Sequence, residues 1–330
     1  MKISQERKIL LQRLELYLQK HLIPLEEDYE CSNHDRGFLV EKNEIIGLCL
    51  RDNGLKEIPP PIMQIETLKE LNLKENEIGV IPDEIRLLRC LERLNLYKNR
   101  VKYLPEVLSK LECLRVLNLA SNQVESIPFH FQSKTLKTID LSKNKLTSVP
   151  SLISGLSSLT SLTLSSNDIS DLPENIGSLT ELIHLNIQHN SIVKLPVSLT
   201  KLSSLTHFYA DDNEITALPS GVGDLTQLAS LSLSQNEIGE VPESLFKLKA
   251  LQYLNLSKNK IHNLPESIKT LSSVSIMDLS GNKLEELPQS LLLMEKLREL
   301  RLHDNLLDLK KESHKRLLEK LKRKGIKVST

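Results

Sequence analysis

The sequence predicts an α/β solenoid of about twelve short stacked repeats, with a parallel β-sheet on one side and short helical or 3-10 segments on the other. Three observations predict it. An Asn recurs at positions 53, 76, 99, 122, 144, 167, 190, 213, 236, 259, 282 and 305, at intervals of 23 residues with a single interval of 22. Six residues after each Asn stands a Pro, from Pro59 to Pro288, and only the last repeat departs, with Lys311 in that place. Finally, the chain has no Trp and only 3% aromatic residues, so Leu and Ile must supply the burial. A core made of one or two residue types points to one packing layer used many times.

Within the unit, each recurring residue has a physical task. Leu159-Thr-Ser-Leu162-Thr-Leu164-Ser-Ser-Asn167-Asp-Ile169-Ser-Asp-Leu172-Pro173-Glu-Asn-Ile176 shows the pattern without deviation. The alternation Leu162-x-Leu164 has a period of two, the mark of a short strand with one buried face. One strand cannot hide that face alone, but copies laid side by side form a continuous sheet and core. The Asn sits where the chain turns out of the strand, where its amide can donate to and accept from turn backbone, stacked copies satisfying one another's loops. Pro fixes φ and needs no amide partner, which suits the first position of a short helical turn. Glu106, Glu174, Glu243 and Glu266, which follow it, favour a helix N-terminus. The strand side is the narrower, so the sheet is expected to line a concave face.

Over roughly residues 45–309 this unit resembles the leucine-rich-repeat family, which implies a right-handed, horseshoe-shaped solenoid that binds other proteins. The I/L-P-x-x-I-x-x-L variant is similar to intracellular Ras-group members, adaptors around small GTPases and phosphatases, and to many bacterial and archaeal repeat proteins. The resemblance implies a non-enzymatic interaction scaffold gripping a folded protein on its concave face. The rival reading is a specificity module or secreted bacterial effector acting on host proteins.

A stack with contacts only between neighbours has two open ends that need covering. Residues 1–44 are expected to form an N-terminal cap. Residues 1–23 read as an amphipathic helix through Leu11, Leu14, Leu18 and Leu22, ended by Pro24. An acidic stretch and a hairpin of Phe38–Val40 with Ile45–Leu48 lead into the repeats. Residues 310–330 carry nine Lys or Arg against two Glu and read as a basic cap helix, with Gly325–Val328 as a closing strand. Two repeats are irregular. The one after Asn122 is a residue short and holds Phe129-His-Phe131, read as a tightened loop. The one ending at Asn213 has Phe208 and Ala210 where others have two Leu, read as compensated packing.

Charge and composition narrow the function. With 43 basic and 43 acidic side chains the net charge is zero, which removes the electrostatic case for nucleic acid. No run approaches the 18 or so apolar residues of a membrane span. Gly is scarce, at 11 residues, and no G-x-x-x-x-G-K-[ST] loop occurs. Neither a cofactor nor a catalytic residue is expected. Cys31, Cys49, Cys90 and Cys113 are scattered, with only Cys90 and Cys113 in equivalent places of neighbouring repeats, and unpaired thiols fit a reducing cytosol. The expected protein is cytoplasmic and monomeric.

Function then lies in the positions the repeat leaves free: six, four, two and one places before each Asn. Most are small and polar. The exception is the pair of units ending at Asn190 and Asn213, which offer His184, Asn186, Gln188 and His189, then His207, Tyr209, Asp211 and Asp212. Tyr253 lies in the same column as His184 and His207. Tyrosines give contact area with a polar tip, so this cluster is the first candidate partner site. Tyr97, Lys98 and Arg100 form a second, basic-aromatic one. A metal is not expected: His184 and His207 are in register, but His189 is about 16 Å further along an extended strand, and a structural zinc wants four ligands.

Overall fold

The computed structural model describes residues 4–25, 36–127, 133–149 and 155–330. It divides into two compact units, Met1–Thr163 and Leu164–Thr330.

The first unit begins with helix α1, Gln5–Leu18. The Ser4 side chain accepts the Arg7 amide at 3.3 Å, and Leu10, Leu11, Leu14 and Leu18 are buried. The helix stops short of the expected residue 23 because Gln19 turns left-handed, at φ 52°, and its amide closes the last turn. Strands β1 (Arg36–Glu41) and β2 (Glu44–Leu50) form the expected antiparallel hairpin. Its connecting residues Lys42 and Asn43 both have positive φ, the geometry that matches strand twist. The repeats add β3 (Glu70–Asn72), β4 (Arg93–Asn95), β5 (Val116–Asn118), β6 (Thr138–Asp140) and β7 (Ser161–Thr163), each parallel to its predecessor. The 22-residue interval does not disturb the register, since Val116 pairs with Thr138 as Arg93 pairs with Val116. The Phe129 and Phe131 loop itself lies outside the described residues.

In the second unit come β8 (His184–Asn186), β9 (His207–Tyr209), β10 (Ser230–Ser232), β11 (Tyr253–Asn255), β12 (Ile276–Asp278) and β13 (Glu299–Arg301), again parallel. Helix α2 (Glu312–Arg323) follows, burying Leu317, Leu318 and Leu321. The basic tail then returns as β14 (Lys327–Ser329), which pairs with β13. His314 is only 2% exposed, its ring held between the Asp308 carbonyl and the Glu286 carboxylate, each at 2.9 Å.

One layer repeats through both units. The central residue of each strand from β3 to β13 and the one two places on are buried, as Leu185 and Ile187 show. Burial of each such side chain is worth roughly 1.5–3 kcal/mol. Phe208 and Ala210 are both fully buried, so a large and a small side chain do share one layer. Beyond the strand the Asn carries the turn. Asn213 donates through Nδ2 to Ile187 and Ala210 carbonyls at 3.0 and 3.2 Å, and its Oδ1 accepts the Ile192 amide of the preceding repeat at 3.0 Å. The expected stacking thus runs from side chain to neighbouring backbone. The Pro sits one place earlier than expected, extended, with its carbonyl accepting the amide three residues on, as Ile85 donates to Pro82 at 3.1 Å. The following Glu also reaches outward: Glu266 accepts the Gln289 and Ser290 amides of the next repeat's 3-10 turn, at 3.1 and 2.9 Å. The Ser290 side chain, then these amides, hold its carboxyl below the usual range.

The cysteines do not behave as four unpaired thiols. Cys90 and Cys113 are free and exposed, but Cys49 is fully buried in β2 against Leu25 and Leu39, and it is disulfide-bonded. It is therefore absent from the open strand face where its column position placed it. The antiparallel β1 and the Leu25 segment that precedes it in the chain cover that end of the first unit, which no later repeat experiences.

Candidate protein-binding face

Each repeat exposes side chains from its strand and from the turn after it, and the two behave differently. Residues one place before the Asn are left-handed throughout, among them His189 and Asp212 at φ 55°. His189 and Asp212 therefore sit at a turn tip instead of extending the strand. The conformation lets each amide donate to the next repeat, His189 to the Asp211 carbonyl and Asp212 to that of Ser234, both at 2.9 Å. Across the turn tips the His189 ring meets the Asp212 carboxylate at 2.7 Å.

Four places before the Asn, a second series appears. Asn186 accepts the amide of Gln188, two residues on, at 3.0 Å. Asn72, Asn95, Asn118, Asp140, Asn255 and Asp278 make the same bond. This closes an Asx turn at the strand end. The series breaks at Thr163, Tyr209, Ser232 and Arg301, and at Ser232 Asp211 of the preceding repeat supplies the missing acceptor. Asp211 Oδ1 takes the Ser234 amide at 2.7 Å and the Ser234 and Ser232 hydroxyls at 2.6 and 2.5 Å, while Oδ2 takes the Gln188 side-chain amide. Asp211 is 9% exposed. Gln188 and Asp211 thus staple three repeats together, and Asn186 caps its own strand.

What stays open is a set of rings. The register places His184, His207, Ser230 and Tyr253 in one row and Asn186, Tyr209, Ser232 and Asn255 in the next. His184 and His207 stack with centroids 4.4 Å apart and planes 29° from parallel. His207 and Tyr209, on one strand, lie 6.1 Å apart at a tilt of 47°. The Thr206 hydroxyl fixes the His207 ring through Nδ1 at 2.7 Å. Burial, then the neighbouring His207, lowers the His184 pKa from its usual value. Burial also raises the Tyr253 hydroxyl, helped by the charges of Asp278 and Asp211.

The second candidate lies in the first unit and is occupied by its own neighbours. Lys74 Nζ rests 5.0 Å from the centre of the Tyr97 ring. Glu75 accepts from Arg51 at 2.7 Å and from Lys98 at 3.3 Å, and these donors hold its carboxyl low. Arg100 pairs with Glu77 at 3.1 Å, on the far side of the Asn turn. Tyr97 and Lys98 are adjacent, whereas Arg100 belongs to a separate charge pair.

Two features of the site escaped the sequence reading: the Asx series and the serines Ser230 and Ser232 that separate the aromatic strands. The Asx series was visible as a second periodic Asn/Asp column. Among the described residues no three His, Cys, Asp or Glu side chains converge to hold a metal ion, and no helix is long and apolar enough to cross a membrane.

Comparison with known proteins agrees with this architecture. A family profile described as "Leucine-rich repeat region" matches residues 134–241, and one described as "Leucine rich repeat" matches 66–124 and 226–284. Together they cover well over half the chain. A leucine-rich-repeat protein of Leptospira interrogans is similar at 28% identity and TM-score 0.69, over 85% of this chain and 83% of that one. The Arabidopsis receptor kinase HAESA, solved with the peptide hormone IDA and the co-receptor SERK1, is similar at 26% identity and TM-score 0.72. That match covers 85% of this chain and 50% of HAESA. An internalin of Listeria monocytogenes, at 20% identity and TM-score 0.67 over 97% and 94% of the two chains, shares the fold. No curated protein sequence matches the chain.

Proposed function

The chain belongs to the leucine-rich-repeat family, and from that premise we propose that it is a non-catalytic protein-binding module whose contact lies on the strand face of the second unit. The rings of His184, His207, Tyr209 and Tyr253 form its centre. The observation that carries this reading is their freedom: Asn186, Gln188 and Asp211 are spent on the scaffold, while these four face outward with few internal partners. Tyrosine and flat imidazole rings bury large areas at low entropy cost, as interface anchors do.

The partner is a protein or a segment of one. HAESA, whose solved complex contains a peptide hormone, makes an extended segment as reasonable a ligand as a folded domain. The similarity to Ras-group adaptors keeps signalling assemblies of small GTPases or phosphatases in view. We assign residues 1–44 and 310–330 to capping and 45–309 to the repeats.

For location, the bonded Cys49 argues for an oxidising compartment, while exposed free Cys90 and Cys113 fit the cytoplasmic expectation. Alkylating the protein in its native extract before reduction decides: two blocked thiols favour oxidation, four the cytosol.

The binding test substitutes His207, Tyr209 and Tyr253 together by Ala and leaves Asp211 intact. Capture of the native partner should fall by more than tenfold, with circular dichroism and the two-state character of unfolding retained. Undiminished capture by a folded variant refutes the assignment.

A further inference from the structure

Tyr209 and Tyr253 project from strands β9 and β11, and β10 between them carries only Ser230 and Ser232 on the same face. With adjacent strands about 4.8 Å apart, the two tyrosine-bearing strands lie roughly 9.6 Å apart. That leaves a trough floored by serines and walled diagonally by the phenols, since Tyr253 faces His207 across Ser230 while Tyr209 faces Asn255 across Ser232. With the two tyrosines also offset by two residues, about 6.6 Å along the strands, a group midway on the diagonal lies about 5.8 Å from each strand position, at the edge of the ~6 Å range over which a cation is attracted to a ring face.

Charge selects the occupant. Asp211 lies beside the serine floor, bonded to the Ser232 hydroxyl, and is nine-tenths buried. Its hydrogen-bond partners are all donors: two hydroxyls, a backbone amide and the Gln188 side-chain amide. A carboxyl group surrounded by donors is acting as the ionised acceptor. No salt bridge to Asp211 occurs among the described residues, whereas Asp278, the next acid along the face, is paired with Arg301 at 3.1 Å. The field of Asp211 also reaches Tyr253, where burial, then Asp278, then Asp211 raise the phenol against the opposing charge of Arg301. A neutral aromatic side chain would fill the trough without answering that charge. A lysine ammonium answers it as a compact, strongly hydrated point, whereas a guanidinium is planar, more weakly hydrated and stacks on ring faces.

We propose that the trough over Ser230 and Ser232 is an arginine subsite: a partner's guanidinium inserts between Tyr209 and Tyr253, above the buried carboxylate of Asp211. This rests on the strand-face reading above and names the chemistry of its anchor. The subsite selects partners that present an exposed arginine on an extended segment or loop, and it discriminates against segments with an acidic residue at that position.

The test uses the full chain with 13C-labelled tyrosine, which gives only six residues to follow. Acetyl-arginine-amide is titrated against it, with acetyl-citrulline-amide, the neutral analogue of the same shape, and acetyl-phenylalanine-amide alongside. Saturable shifts at Tyr209 and Tyr253 are expected with arginine, at concentrations on the order of millimolar to tens of millimolar for a single side chain. Citrulline should bind at least about fivefold more weakly, as loss of a cation–π contact requires. Tyr253→Leu, which keeps an apolar wall but removes the ring, should abolish the arginine response at Tyr209 and leave Tyr97 unmoved. Equal responses to arginine and citrulline, a preference for phenylalanine, or no response overturn the subsite. Asp211→Asn, provided its melting temperature shows that it folds, should reduce the preference for arginine over citrulline, and an unchanged preference counts against the carboxylate. If these probes fail while the triple Ala variant still loses its partner, the strand-face reading stands and only the arginine assignment falls.

Discussion

The two units build one layer from one repeat and expose different surfaces. In the first, the open columns are largely charged, and charges on and beside them are paired with a neighbouring repeat or the hairpin: Arg51 and Lys98 on Glu75, Arg100 on Glu77, Lys69 on Glu41. Tyr97, its candidate anchor, is covered by Lys74. In the second, the strand positions of β8–β11 hold rings and serines, and Asp211 beside them is buried in hydrogen bonds. Exposed ion pairs contribute little to stability, but a partner arriving at the first face must break pairs already made. On the second face little has to be undone. Periodicity builds the scaffold equally in both, and the departures from it decide where a ligand fits.

The largest effects should be the same in both units. Asn99→Ala and Asn213→Ala each strip buried carbonyls and a buried amide of partners. A loss of about 2–4 kcal/mol is expected by denaturant unfolding. A large difference between the two would break the premise of a common scaffold. Next in size is the disulfide. Cys49→Ser should cost about 2–4 kcal/mol, and hydrogen exchange should place the loss in β1 and β2 while protection of β8–β13 is unchanged.

The units should then diverge. Asp211→Ala leaves the Ser234 amide and two hydroxyls without their acceptor, an expected loss of about 1–3 kcal/mol. Glu75→Ala, at an equally conspicuous cluster, should leave the melting temperature within error, because its partners remain in water. The smallest effect is that of acid. Since the folded state holds the His184 pKa low, the unfolded chain takes up the proton first, and stability is lost as pH falls below the ordinary imidazole value. His184→Gln should flatten the unfolding midpoint between pH 7 and 5.5. Glu75, whose carboxyl is held low by Arg51, loses its contribution only as pH falls below the usual carboxylate range.

The fold was legible because one period carried it. Every strand from β3 to β13 falls where apolar residues, mostly Leu, alternate ahead of an Asn, and even the closing strand β14 was announced by Ile326 and Val328. The ends were read less well, since helix α1 depends on a left-handed Gln19 that no propensity requires. Of the candidate site, the row of His184, His207 and Tyr253 follows from register alone. The role of Asp211 does not. It arises because Ser232 lacks the Asx acceptor that Asn255 in the next repeat has, so the residue chosen in one repeat gives the acid of another its task. Cys49 was misread because the hairpin and the Leu25 segment, found only at that end, bury its place on β2.

The central claim is that the strand face of the second unit, and not that of the first, meets the partner. A photoreactive phenylalanine analogue placed at Tyr253 or at Tyr97, followed by irradiation in the native extract, tests it most directly. The account predicts a discrete covalent adduct from position 253 that excess unlabelled protein competes away, and none from position 97. An adduct at 97 with none at 253 would contradict it.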